Sequence, residues 1–262
     1  VATYHGATII SAAPPSSGGL VMTEILNQLE QFEITSLQSP EQIHLTIEAM
    51  RRAYRDRAIY MGDPDFVSIP VKMLTSKAYG KQLAATINPD QATPSSSLGV
   101  YLGGSSGTHT THLSILDKEG NRVAATLSIN LPFGSGYTIP GTGVLLNNEM
   151  DDFSIAPGVP NAFGLLGAEA NAIAPGKRPL SSMSPTIVLK DGKPILAVGA
   201  AGGPTIITQT LLAIIHTIDF GLGVKAALAQ PHFHHQWAPN QMRIERKVSQ
   251  NVLAELRKRG HT

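Results

Sequence analysis

The sequence contains no cysteine. That absence excludes disulfides, thiolate zinc sites and a cysteine nucleophile, while leaving the cellular compartment open. Charge is scarce as well: only 15% of the 262 residues are charged, and 20 Lys plus Arg balance 19 Asp plus Glu to a net +1. Such a balance offers no basic stripe to neutralise phosphates, so nucleic acid is not an expected partner. Long apolar runs are missing too, none approaching the ~18 residues that span a bilayer. The richest stretch, IITQTLLAIIHTIDFGLG (206–223), contains Gln, His and Asp and reads as a buried core helix. The first residue is Val and no leader is visible, so a processed chain or a fragment is expected. With 42% hydrophobic residues, the composition fits a compact domain with one large core or two small ones.

Along the chain, VATY and ATIISAA (residues 1–13) read as short strands, ended by the breaker-rich loop PPSSGG (14–19). Val21, Ile25, Leu29 and Phe32 fall on one helical face. Ser39, Pro40 and Glu41 supply an N-cap, a first-turn proline and a first-turn acid for a helix running to about Tyr60. Its Arg51 and Arg52 are expected to face solvent. Another helical segment is expected within 71–87. The Ser/Gly/Pro-rich stretch 88–109 reads as an exposed, flexible connector. Beyond it come two hairpins, one turning at DKEGN and one at Asp191-Gly192, then helices over about 205–219 and 224–229, a strand near 241–246 and a helix over 249–259. Helices, hairpins and helices in that order predict an α+β member of the α/β class, with helices layered on a mostly antiparallel sheet.

The first hairpin raises a chemical question, because GTHTTHLS (107–114) crowds three threonines where a loop enters a strand. Threonine suits a pleated surface, and that alone could explain it. With the turn near Glu119, however, Thr110 should face the region Ser128–Asn130, and Thr126, Ser128 and Asn130 should share one side of the hairpin. Scission before Thr110 would put a hydroxyl and an α-amine on one residue. An α-amine has a pKa of about 8, low enough to take the hydroxyl proton, a known way of arming a threonine nucleophile.

THTTHLSILDKEGNRVAATLSINLPFGSG resembles the start of the small subunit of γ-glutamyltranspeptidases, which are N-terminal-nucleophile hydrolases. The resemblance continues through LLNNEMDDFSIAPGVPNAFGLLG, KRPLSSMSPTIVLKDGK, AAGGPTIITQTL and PHFHHQW, and backwards through APPSSGG and YRDRAIYMGDPDFV. It implies a four-layer αββα sandwich, incomplete in this chain. It also implies that residues 1–109 are the C-terminal part of a large subunit and residues 110–262 a small catalytic subunit lacking its C-terminal end. Together these would form one structural domain.

The resemblance further implies roles. Thr110 is the nucleophile, first attacking the His109 carbonyl so that the chain cleaves itself before Thr110, and then attacking a γ-glutamyl carbonyl. The acyl-enzyme passes to water or to an amino acid or peptide acceptor. Ser128 stands where the family usually carries threonine and supports the nucleophile's hydroxyl. Asn130, Glu149 and Asp152 match the residues that hold the substrate α-amino group, acceptors being what an ammonium needs. Ser181 and Ser182 match the donors to the α-carboxylate, and Gly202 and Gly203 the oxyanion hole, where backbone N–H groups must come close. No residue here matches the family's carboxylate-binding arginine. Glutathione and related γ-glutamyl compounds are the implied substrates, with no cofactor and no metal. A periplasmic or secreted location is also implied.

His232, His234 and His235 in PHFHHQW invite a metal reading, but no acid sits at helical ligand spacing and structural packing is expected. Residues 160–178 are expected to form a loop over the pocket. Two other readings stay open: a glutaryl or cephalosporin acylase of the same superfamily, against which Asp152 argues because a glutaryl group has no ammonium, and a non-catalytic remnant of the fold.

Overall fold

The computed structural model describes residues 1–99 and 110–262. Strands β1 (Ala2–Tyr4) and β2 (Ala7–Ser11) open the chain, followed by helices α1 (Gly18–Leu29), α2 (Pro40–Tyr60), α3 (Val71–Leu74) and α4 (Lys77–Ala84). Strands β3 (Thr110–Leu116) and β4 (Arg122–Ser128) form one hairpin, and β5 (Thr186–Lys190) and β6 (Lys193–Val198) the next. Helices α5 (Thr205–Ile218) and α6 (Val224–Ala229), the short strands β7 (Phe233–His234) and β8 (Arg243–Ile244), and helix α7 (Gln250–Lys258) complete it.

Local chemistry explains the boundaries. Ser39 caps α2, its hydroxyl accepting the Gln42 N–H at 3.0 Å, with Pro40 in the first turn where its missing donor costs nothing. The segment 71–87 breaks at Thr75-Ser76, where Ser76 caps α4 by accepting from Tyr79 N–H. Asp191 and Gly192 both take positive φ, 50° and 73°, the two-residue turn that matches the twist of a hairpin.

The sheet runs β1-β2-β5-β6, antiparallel throughout. Its inner face, Ala7, Ile9, Val188, Leu196 and Val198, shares one core with α1, α2 and α5. The β3–β4 hairpin lies against β5 and β6. Ser114 Oγ donates to the Ala197 carbonyl at 3.1 Å, and the Arg122 guanidinium donates to that of Pro194. Helices, sheet and hairpin are thus three of the four layers of an αββα sandwich. The hairpin turns its polar side (Thr110, His112, Ser114, Thr126, Ser128) inward and leaves Leu113, Ile115, Val123 and Leu127 exposed. A hairpin packed only on its inner side would show the reverse pattern. The open apolar side is where a fourth layer would pack.

Two expectations need correction. Arg51 and Arg52 do not face solvent: each is 2% exposed, and Arg51 Nε and Arg52 Nη1 bond the buried Glu48 carboxylate at 3.2 and 2.8 Å. Helix α2 is central, packed against α1, α4 and α7, so its charged side is covered too and the charges neutralise one another. Nor is the described part of the expected connector, 88–99, loose. Ser95 is buried, accepts Arg51 Nη1 at 2.8 Å, and its carbonyl accepts Trp237 Nε1 at 3.1 Å. The remainder, 100–109, lies outside the described residues.

Candidate active site

Thr110 is the first residue of β3, half-buried, and pairs in register with Ser128. Alternation puts both hydroxyls on the inner side, 3.2 Å apart. Ser128 Oγ also accepts the Asn130 N–H at 2.9 Å. The same polar side carries His112, whose Nδ1 lies 2.8 Å from Thr126 Oγ1 and Nε2 3.1 Å from Ser114 Oγ. His109, the residue expected to precede the scissile bond, lies outside the described residues.

Ser128, Asn130, Glu149, Asp152, Phe163, Ser181, Ser182 and Gly203 line one narrow cleft. Residues expected at the site therefore converge from a hairpin, a 3-10 turn, a strand entry and a helix start. Thr110 adjoins the cleft through Ser128, and Gly202 directly precedes Gly203. Asn130 sits at φ 72°, its amide Nδ2 donating to the Asn148 carbonyl at 2.9 Å, which leaves its amide oxygen for the cleft. Glu149–Asp152 forms the 3-10 turn, begun by Asn147 Oδ1 accepting Glu149 N–H at 3.0 Å. Burial, and Glu149 hydrogen-bonded beside it, push the Asp152 carboxyl up to about 8 against the pull of Arg57. A carboxyl raised that far keeps its proton at neutral pH until an incoming cation displaces it.

Gly202 and Gly203 sit at φ 128° and 57°, a region that disfavours side-chain-bearing residues. A Cβ on Gly203 would meet the Phe163 ring at 2.6 Å. Among the described residues, neither glycine N–H has an acceptor. Just beyond them, the Pro204 carbonyl accepts the Tyr54 hydroxyl at 2.5 Å and α5 begins, with Thr205 N–H on the Gly202 carbonyl at 3.1 Å. Two free amides at a helix start are an arrangement suited to a developing oxyanion.

Ser181 and Ser182 are held from behind by PPSSGG, which proves to be structural rather than a simple loop. Ser17 N–H and Oγ both donate to the Ser181 carbonyl, at 2.8 and 2.7 Å, and Ser16 Oγ donates to that of Met183 at 2.6 Å. Arg57 reaches in from α2, Nε to Ser17 Oγ at 2.9 Å and Nη2 to Ser182 Oγ at 3.2 Å. From GDPD, Asp63 takes a bidentate bond from Arg178, Nη2 at 2.6 Å and Nε at 2.9 Å, fixing the approach to the serine pair. Ser17, Arg57 and His112 join the site without standing out as candidates in the sequence. Each lies inside a block that carries the family resemblance, which was the available signal.

The PHFHHQW histidines are engaged by protein. His232 pairs with Glu245 at 2.8 Å, and His234 bridges Thr208 Oγ1 at 3.0 Å and Gln236 Oε1 at 2.9 Å. His235 Nδ1 accepts Trp237 N–H at 3.0 Å. In the 160–178 loop, Phe163 walls the cleft while Leu165 and Leu166 are buried in the core.

A family model described as gamma-glutamyltranspeptidase matches residues 1–262. The chain is 47% identical over 260 residues to the glutathione hydrolase proenzyme of Escherichia coli, covering 98% of this chain and 45% of that protein. It is 51% identical to a mutant γ-glutamyltranspeptidase of Helicobacter pylori in a solved structure, with TM-score 0.57 over 58% of this chain and 82% of that one. A cephalosporin acylase from Bacillus halodurans superposes with TM-score 0.83 at 30% identity, over 99% of this chain and 44% of that one. The chain spans about half the length of the curated relatives it matches, and its mixed helix-and-sheet architecture is that of the N-terminal-nucleophile hydrolases. The family model covers every residue, and the relatives agree with it: the chain belongs to the γ-glutamyltranspeptidase family.

Proposed function

We propose that this chain carries the catalytic part of a glutathione hydrolase and γ-glutamyltransferase. Thr110 Oγ1 attacks the His109 carbonyl, and the resulting ester hydrolyses, leaving one piece ending at His109 and one beginning at Thr110. The freed α-amine then takes the Thr110 hydroxyl proton as the oxygen attacks the γ-glutamyl carbonyl. The oxyanion draws on the Gly202 and Gly203 N–H groups, and the proton passes to the departing amine as the C–N bond breaks. Water, or the amine of an amino acid or peptide, resolves the γ-glutamyl ester. A periplasmic or secreted location belongs to the same proposal; for the described residues, no helix is long and apolar enough to cross a membrane.

One observation carries the reading. Beside the hydroxyl pair Thr110–Ser128, one cleft is lined by both an acceptor group (Asn130, Glu149, Asp152) and a donor pair (Ser181, Ser182). That combination is complementary to an ammonium and a carboxylate on one carbon, the head of a γ-glutamyl group. A cephalosporin or glutaryl acylase is the competing reading, favoured by the acylase superposition. A glutaryl group brings no cation, so the Asp152 carboxyl would keep its proton and add nothing to recognition of that group. The test is release of p-nitroaniline from γ-glutamyl-p-nitroanilide by the full-length protein, with glutaryl-p-nitroanilide alongside. The γ-glutamyl compound should be preferred, and Thr110→Ala should abolish turnover. Preference for the glutaryl compound would select the acylase, and activity surviving Thr110→Ala would reject both.

A further inference from the structure

Helix α2 carries a charge that none of these roles uses. The Arg57 guanidinium is 3% exposed, and among the described residues no carboxylate lies within ion-pair distance of it. A buried cation in that state is expensive unless hydrogen bonds hold it. One of the bonds that hold it reaches the serine pair, Nη2 on Ser182 Oγ at 3.2 Å; the others are Nε on Ser17 Oγ at 2.9 Å and Nη2 on the Leu180 carbonyl at 3.5 Å.

Donor counting gives these bonds a consequence. A serine hydroxyl has one proton and two lone pairs. Ser182 Oγ is occupied from behind by Arg57, and Ser181 Oγ by Met183 N–H at 3.0 Å. Both serines line the cleft, and among the described residues neither hydroxyl proton has an acceptor. With a donor already on each oxygen, both protons are left for whatever enters the cleft. Ser17 behaves differently: it receives Arg57 Nε but spends its own proton on the Ser181 carbonyl at 2.7 Å, locking the segment in place. Arg57 therefore orients Ser182 as a donor and sets a positive charge directly behind it. Asp152 stands within reach of its field.

We propose that Arg57 is a positioning residue for the α-carboxylate of the acyl donor: it fixes the Ser182 hydroxyl as a hydrogen-bond donor and backs it with a buried positive charge, without touching the substrate. This rests on the functional reading given above. It adds a determinant of specificity for acyl groups bearing a carboxylate at that carbon.

Three p-nitroanilides separate recognition of the carboxylate from recognition of the ammonium. The γ-glutamyl compound has both carboxylate and ammonium, the glutaryl compound only the carboxylate, and the 4-aminobutanoyl compound only the ammonium. In the full-length protein, Arg57→Gln should lower kcat/KM for the first two by about 10- to 100-fold, mainly through KM, the range for a bond to a charged group. Turnover of the 4-aminobutanoyl compound should change by less than about 3-fold. Arg57→Lys keeps the charge but cannot span Ser17 and Ser182, and should give an intermediate loss with the same selectivity. Combining Ser182→Ala with Arg57→Lys should cost little more than Ser182→Ala alone. If an Arg57 variant fails to fold, Ser17→Ala loosens the guanidinium while keeping it and should show the same selectivity. An equal loss on all three compounds, in Ser17→Ala as in the Arg57 variants, would reduce Arg57 to a structural role and overturn the inference. A wild-type protein that cleaves none of the three would instead sink the functional reading.

Discussion

Replacing Gly203 by alanine tests the oxyanion assignment at a single methyl group. The glycine lies at φ 57°, where an L side chain costs roughly 1–2 kcal/mol. Its new Cβ would sit 2.6 Å from Phe163 Cδ1 and 2.8 Å from Cε1, about 1 Å inside a normal carbon–carbon contact. Phe163 is 3% exposed and belongs to the core, so it has little room to withdraw. The backbone must give instead, by about 1 Å. A shift of that size at an oxyanion donor is worth about 100- to 1000-fold in rate. The assay is kcat for γ-glutamyl-p-nitroanilide with the mature full-length protein, beside urea unfolding. The expected result is a 100-fold or greater fall in kcat, a few-fold change in KM, and a stability loss of about 2–4 kcal/mol. A kcat within about 3-fold of wild type would refute the assignment of Gly203 to transition-state stabilisation.

Other outcomes follow from the same geometry. Asp152→Asn should lower kcat/KM for γ-glutamyl-p-nitroanilide by about 2–4 kcal/mol, roughly 30- to 1000-fold, and shift preference toward the glutaryl compound. Because burial and Glu149 push the Asp152 carboxyl up to about 8, a substrate ammonium must displace a proton to bind. KM for the γ-glutamyl compound should therefore fall as pH rises from about 6 to about 8, a slope that Asp152→Asn removes. Glu48→Gln leaves the buried guanidinia of Arg51 and Arg52 without their shared carboxylate and should cost about 3–5 kcal/mol in urea unfolding. His234 and His261 are both 4% exposed, and burial lowers each to about 4. Unfolded histidine takes up its proton near 6.5, so the folded state loses stability as pH falls from about 6.5 to about 4, by roughly 3 kcal/mol for each. The midpoint of urea unfolding measured across that range should fall accordingly, and should fall less in His261→Gln.

What could be read in advance was local. The β3–β4 turn fixed the register, and Thr110 does face Ser128; Asp191-Gly192 marked its hairpin; Ser39 and Pro40 marked the start of α2. Each depends on a few neighbouring residues and one kind of backbone geometry. What escaped depends on distant partners. Nothing near Arg51 or Arg52 indicates that α7 and the Ser95 turn will cover them, so they read as solvated. The loop PPSSGG contains only turn formers until the strand entry at Ser181, far along the chain, arrives to pair with it. Arg57 shows the same limit, since Ser182 is 125 residues away and the bond exists only once α2 is buried. The hairpin was legible in register but not in orientation. That its apolar side is the open one depends on which layer packs where, and alternation alone gives both sides equal standing.

Mass spectrometry of the full-length protein, mixed with a γ-glutamyl donor and quenched, tests the central claim most directly. Two pieces are expected, one beginning at Thr110, with a single γ-glutamyl group on the peptide that starts there, and neither product in Thr110→Ala. An active protein whose chain remains joined before Thr110, or an adduct on any other residue, would contradict the claim.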